Sequence, residues 1–263
     1  MTAPLRVPSL ATTDIAPDAA GKARPMKQSP DVSLAEPART RDDRGLIYPF
    51  TSKPEPGTTM EVAPGVHWLR LTLPFQLNHI NLWLLEDGDG WTIVDTGLND
   101  SGSKAAWENL FGTMMGGKPV HRVIVTHLHP DHVGLAGWLV ERFDAPLFMS
   151  RTDYLLCRTL VMDTGREAPH EGVRFYKAAG FPDEALAKYK ERFGGFGMGV
   201  HRLPQSFRRL QEGNTLTIGG RVWQVVVGRG HAPEHVCLWC PEANLLISGD
   251  QVLPRISSNV SVF

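Results

Sequence analysis

From Gly65 onward, apolar and polar positions alternate in short runs that stop at turn residues, the pattern of strands with buried faces. Val66 to Leu73 and His79 to Leu85 are predicted as adjacent strands, and Asp87-Gly88-Asp89-Gly90 as a tight turn into a third, Trp91 to Asp95. The spacing then lengthens. Ser103 to Met115 and Val133 to Phe143 are predicted as helices, separated by a buried strand, Val120 to Thr126. Strands alternating with helices predict an α/β sandwich. Residues 150–212 break that rhythm. Tyr154 to Met162, Gly172 to Ala179 and Asp183 to Phe193 read as helices, punctuated by Gly165, Pro169, Gly180 and Pro182. This stretch is predicted to be a helical insertion able to lie over a site and shape its pocket. Its Tyr154, Arg158, Arg174 and Tyr176 are candidates to meet an anionic or aromatic group. Strands resume at Thr215 to Ile218, Arg221 to Val227, Val236 to Cys240 and Leu245 to Ile247.

The first sixty residues follow neither period. Nine prolines interrupt a stretch of Ala, Thr, Asp and Arg, which predicts a disordered or loosely packed arm over 1–60 ahead of a domain at 61–263. Composition narrows the function classes. A formal net charge of -1 carries no basic excess of the kind nucleic-acid binders show, and 42% hydrophobic residues describe a soluble globular chain. No apolar stretch reaches membrane-spanning length, and the amino terminus lacks the apolar core of a secretory signal. Cys157, Cys237 and Cys240 are too few for a disulfide framework, which predicts a cytoplasmic protein. Cys237 and Cys240 lie three apart in a predicted strand, so they face opposite sides and read as structural thiols.

The chemistry is concentrated in six residues. His127-Leu128-His129-Pro130-Asp131-His132 follows the apolar run Val123-Ile124-Val125 and precedes an apolar helix. Imidazole nitrogens and carboxylate oxygens both suit zinc. Alternate residues of an extended segment share a side, so His127 and His129 can serve one ion. Four donors this close crowd a single ion, whereas two ions about 3.5–4 Å apart share them readily. Two later segments repeat the plan of strand, then loop, then ligand. Val225-Val226-Val227 leads into Gly230-His231 and, four residues on, His235. Leu245-Leu246-Ile247 leads into Gly249-Asp250.

With Asp95-Thr96-Gly97, these segments make the chain from about Gly65 onward resemble the metallo-β-lactamase-fold metallohydrolases, particularly the glyoxalase II-like branch. The resemblance implies an αββα sandwich in which His127, His129 and His231 hold one metal, Asp131 and His132 hold another, and Asp250 bridges them. It implies that Asp95 orients a ligand imidazole, and His235 is expected to support the site as a hydrogen-bond partner. Two zinc ions would then hold a hydroxide for attack on a thioester, ester or lactone, a small-molecule substrate, with Asp131 managing the proton. No G-x-S-x-G elbow competes with that reading.

The family pattern calls for one more histidine some tens of residues after the bridging aspartate. Only thirteen residues follow Asp250 and none is histidine. The sequence is therefore expected to be truncated at the C-terminus, lacking the last strand and helix, with a weaker second ion and poor activity on its own. Two alternatives stand beside the zinc hydrolase: a mononuclear iron oxygenase of the persulfide-dioxygenase type, and a catalytically silent fragment or binding module.

Overall fold

Runs of Val, Leu, Ile and Trp between Thr59 and Ile124 put neighbouring side chains on opposite faces of one large sheet. In a computed structural model that describes residues 40–260, this sheet has seven strands. A small antiparallel pair precedes it, β1 (Thr40–Arg41) with β2 (Ile47–Tyr48). The sheet strands are β3 (Thr59–Ala63), β4 (Val66–Thr72), β5 (His79–Asp87), β6 (Gly90–Val94), β7 (Val120–Ile124), β8 (Leu147–Ser150) and β9 (Arg208–Leu210), adjacent in that order. Pairing is antiparallel as far as β6 and parallel from β6 to β9. The change has a cause in the connections, because parallel neighbours require a crossover. Helix α1 (Ser101–Gly112) joins β6 to β7. Helices α2 (Pro130–Val133) and α3 (Ala136–Phe143) join β7 to β8.

A second, antiparallel sheet packs on the first: β10 (Thr215–Ile218), β11 (Arg221–Gly228), β12 (His235–Cys240) and β13 (Leu245–Ile247). Two apolar clusters separate the layers. Leu82, Leu84, Ile93 and Val123 face the helices, where they meet Trp107, Phe111 and Leu139. Leu85, Val94 and Ile124 face the second sheet, where they meet Trp223, Val225, Val236 and Leu238. Both faces of β6 are covered, and all five of its residues are buried. Burying each large side chain contributes about 1.5–3 kcal/mol. The result is the predicted mixed α/β sandwich, seen as helix, sheet and sheet layers. No helix residue belongs to the inter-sheet cluster, and Val222, Val226 and Leu246 on the other face of the second sheet are exposed among the described residues.

Three details differ from the sequence expectation. Strands β8 and β9 were not anticipated, because four and three residues are too few for an alternation to register. Since β9 pairs with β8, the predicted 150–212 insertion ends before Arg208. It comprises α4 (Arg151–Met162), α5 (His170–Ala178), α6 (Asp183–Arg192) and a 3₁₀ turn at Phe196–Gly199. The predicted 133–143 helix is also interrupted. The Leu135 N–H bonds to the Gly97 carbonyl and the Thr96 hydroxyl, both at 3.1 Å, instead of continuing α2. Of the predicted arm, residues 1–39 lie outside the described residues, and the remainder holds β1, β2 and the start of β3.

Candidate metal centre

The metal-type side chains sit just beyond the ends of β6, β7, β11 and β13. Strands β6 and β7 are parallel neighbours, so Asp95 and the His127 loop emerge side by side. Opposite them, β11 pairs with β12 so that Gly228 faces His235, and the His231 loop spans the gap. The Val236 N–H donates to the Thr126 carbonyl at 2.8 Å, tying the two sheets together at this end.

Asp95 anchors the arrangement. Its φ of 62° is left-handed, a conformation costing an L-residue roughly 1–2 kcal/mol. Its buried carboxylate offsets that by accepting from the Thr126 N–H at 2.8 Å, the Thr126 hydroxyl at 2.8 Å and His132 Nδ1 at 2.8 Å. The ligand imidazole expected from the resemblance to rest on Asp95 is therefore His132.

These bonds set the tautomers. With Nδ1–H given to Asp95, His132 turns a bare Nε2 into the site, where it is buried without a hydrogen-bond partner among the described residues. That nitrogen lies 3.4 Å from Asp250 Oδ1 and 3.9 Å from Asp131 Oδ2. The Thr126 hydroxyl has only one proton, and Asp95 takes it, so His127 Nδ1 donates to Thr126 Oγ1 at 2.9 Å. His231 Nδ1 donates to the Asn259 carbonyl at 2.8 Å. Each ring consequently directs a bare Nε2 inward. His127 Nε2 lies 3.1 Å from His231 Nε2 and 3.0 Å from His129 Nδ1.

Lone pairs held this close repel one another unless something positive lies between them. Tetrahedral zinc at 2.0–2.1 Å from each nitrogen separates its ligands by about 3.3 Å, close to this spacing. The residues present therefore fit a metal on two counts: a three-imidazole group, His127–His129–His231, and a second group, His127–His132–Asp250. His127 belongs to both.

The electrostatics agree. Burial holds His127 well below the ordinary histidine range, and the neighbouring His132, His235, His129 and His231 hold it lower still. Burial, with His231 and His132 beside it, brings His129 to about 4. Both are neutral, ligand-ready imidazoles at physiological pH. For His132 burial again opposes charge, but Asp95, Asp131 and Asp250 outweigh it and raise the ring well above its usual value. Without a metal this ring takes up a second proton, so its Nε2 is bare only when a cation stands in for that proton. Burial would raise Asp250, yet the adjacent His132, with His231 and His235 beside it, brings it down to about 2.

Five of the six predicted site residues, His127, His129, His132, His231 and Asp250, fall in these two groups, whereas Asp131, expected on the second ion, belongs to neither and stands at the rim, its Oδ2 3.9 Å from His132 Nε2. His235 takes the supporting role expected. Its Nε2 accepts the Asp250 N–H at 3.1 Å, so its remaining proton sits on Nδ1 and the ring is unavailable as a ligand through Nε2. Cys157, Cys237 and Cys240 are buried free thiols, as expected. Tyr154, a candidate for substrate contact, is buried. It lies in the core, stacked 3.9 Å from Phe207, with its hydroxyl donating to the Pro204 carbonyl and Arg158 held against it. One residue was missed. Asp153, fully buried, accepts from the backbone of both histidine loops. Its only sequence signal is the S-x-x-D spacing from Ser150, which reads as an ordinary helix start.

A helix-sheet-sheet sandwich with imidazole and carboxylate groups gathered at its strand ends is the architecture of a metal-site protein. The metallo-beta-lactamase superfamily model matches residues 76–262, so the chain belongs to that superfamily. It is similar to the probable metallo-hydrolase YqjP of Bacillus subtilis, 25% identical over 197 residues, covering 73% of this chain and 58% of that protein. The probable metallo-hydrolase YflN of the same organism is 24% identical over 201 residues, covering 75% and 67%. Among solved structures, a beta-lactamase domain protein from Burkholderia ambifaria is 43% identical with a TM-score of 0.70, covering 81% of this chain and 61% of that one. A metallo-beta-lactamase family protein from Thermus thermophilus is 28% identical with a TM-score of 0.63, covering 77% and 64%. The chain thus spans about three fifths of YqjP and of the Burkholderia protein.

Proposed function

We propose that this domain is the metal-binding part of a hydrolase that cleaves a thioester, ester or lactone at two zinc ions, in the manner of the glyoxalase II-like branch. The observation that carries the reading is the convergence of imidazole nitrogens, His127 Nε2, His129 Nδ1 and His231 Nε2, at about 3 Å beside the His132 Nε2 and the Asp250 carboxylate. Zinc in such a setting lowers the pKa of water from 15.7 to about 7 and polarises a carbonyl oxygen.

The chain's own residues do the rest. Asp95 holds the His132 ring through Nδ1, and Thr126 and the Asn259 carbonyl do the same for His127 and His231, so no ring reorganises when charge arrives. Asp250 has two oxygens, facing His132 at 3.4 Å and His231 at 3.5 Å, which suits it to span two ions. Asp131, partly exposed at the rim 3.9 Å from His132 Nε2, would take the proton of an attacking water.

Metal analysis of the purified protein, followed by a screen of thioesters, lactones and β-lactams, tests the proposal. Two zinc ions per chain and hydrolysis of one class, lost in His127→Ala, are expected. One iron per chain with oxygen consumption on a persulfide would replace the reading by an oxygenase. A metal-free chain inert to every substrate would leave a binding module.

A further inference from the structure

Between the two histidine loops lies a carboxylate that belongs to neither. Asp153 stands in the first turn of α4 and is completely buried. Its Oδ1 accepts the Leu128 N–H at 3.1 Å, and Leu128 is the residue between His127 and His129. Its Oδ2 accepts the Glu234 N–H at 2.8 Å, and Glu234 lies between His231 and His235. A third bond, at 3.2 Å, comes from the Ser150 hydroxyl.

The helix start shows that this use is selective. Ser150 and Asp153 have the spacing of a capping box, in which each side chain would satisfy a helix N–H. Neither does so here, since Ser150 makes no side-chain cap and Asp153 turns to the loops. The vacated role passes to the other side of the contact. Glu234 Oε2 accepts the Thr152 N–H at 2.9 Å, so the His231 loop caps the helix whose aspartate holds that loop.

A buried carboxylate with no ion-pair partner among the described residues is costly, and it is tolerated where several donors converge on it. The two loops it joins come from different sheets and are about a hundred residues apart in sequence. They carry all three imidazoles of the first group. No other α4 side chain hydrogen-bonds to both loops among the described residues.

We propose that Asp153, with Glu234 as its reciprocal partner, is a positioning residue that sets the metal affinity of the His127–His129–His231 group by fixing the distance between the two histidine loops. The inference rests on the reading that those histidines bind a metal. Supporting groups of this kind typically change metal affinity by 10–100-fold.

The test is chelator competition for zinc, with thermal unfolding of the metal-free and zinc-loaded forms, on the wild-type chain and on Asp153→Asn, Glu234→Ala and Glu234→Gln. The asparagine amide cannot accept both N–H bonds. Asp153→Asn is expected to weaken zinc binding by about 10–100-fold and to shrink the rise in melting temperature that zinc produces. Glu234→Ala, at a partly exposed side chain, should weaken zinc several-fold while the metal-free protein still folds, and Glu234→Gln should restore affinity by keeping an acceptor for Thr152. Wild-type zinc affinity in both Asp153→Asn and Glu234→Ala, with unfolding temperatures of the two forms lowered equally, would overturn the clamp and leave the metal reading standing. If Asp153→Asn does not fold, unchanged affinity in Glu234→Ala alone overturns it. Failure of the wild-type chain to bind zinc or any other divalent ion would overturn both.

Discussion

Asp95 concentrates more of the site's geometry than any ligand does. It satisfies the Thr126 N–H and hydroxyl and the His132 ring, and through Thr126 it sets the tautomer of His127. Asp95→Ala leaves several buried donors unpaired and is expected to cost about 3–5 kcal/mol, measured by denaturant unfolding of the metal-free protein. A loss below about 1 kcal/mol would show that water replaces the carboxylate there. The histidines also make stability depend on pH. His129 and His235 both have folded values of about 4, with burial the largest cause in each. Above the unfolded value of 6.5 neither state binds their protons. Between 6.5 and 4 the unfolded chain takes protons that the folded protein refuses, so stability falls as pH falls. His132 is raised, so its contribution is complete below 6.5 and does not offset that loss. The metal-free protein should lose about 2 kcal/mol for each of the two residues between pH 7 and pH 5. Equal denaturation midpoints at the two pH values would contradict this. The chemistry at this scale was legible in sequence: His127, His129, Asp131, His132, His231 and Asp250 stand out by type and by their place after apolar strands. Asp153 did not, because its partners are 25 and 81 residues away and no local pattern connects them.

Elements carry these residues to their places through a few specific contacts. Helix α1 does so through Trp107, which is fully buried and donates its indole N–H to the Thr96 carbonyl at 2.8 Å, within the Asp95-Thr96-Gly97 turn. Its ring stacks on Phe111, which meets Phe143 edge-on at 4.8 Å. Trp107→Ala therefore removes a core side chain and a bond to the turn that holds Asp95. A loss of about 3–5 kcal/mol is expected in unfolding experiments, and a conservative Trp107→Phe should recover most of the packing without the hydrogen bond. At β13 the constraint is steric. A Cβ on Gly249, whose φ is 48°, would lie 2.7 Å from the His235 ring, so the turn that delivers Asp250 admits only glycine without rearrangement. The longer elements were readable from their periods. Strands β8 and β9 were not, since their pairing depends on an already formed sheet edge, and α2 parted from α3 because Thr96 and Gly97 captured the Leu135 N–H.

Across residues 40–260, the two larger sheets and a helical layer bring loops from four strands to a common end. A metal that binds only this folded arrangement stabilises it by mass action. Zinc at a hundred times its dissociation constant should add about 2.7 kcal/mol per site, seen as a rise in melting temperature that a chelator reverses. No change on chelation of a zinc-loaded sample would mean that the folded site does not bind it. No helix among the described residues is long and apolar enough to cross a membrane. The sequence by itself determined the inventory of metal-type side chains, their place after apolar strands and the mixed α/β class, because period and composition are local properties of the chain. Only the tertiary structure decided which nitrogen of each ring faces inward, that His127 belongs to both candidate metal groups, that Asp95 serves His132, and that Asp153 hydrogen-bonds to both the His127 and His231 loops. Those facts depend on hydrogen bonds between residues tens to a hundred positions apart, whose partners are chosen when the sheets pack.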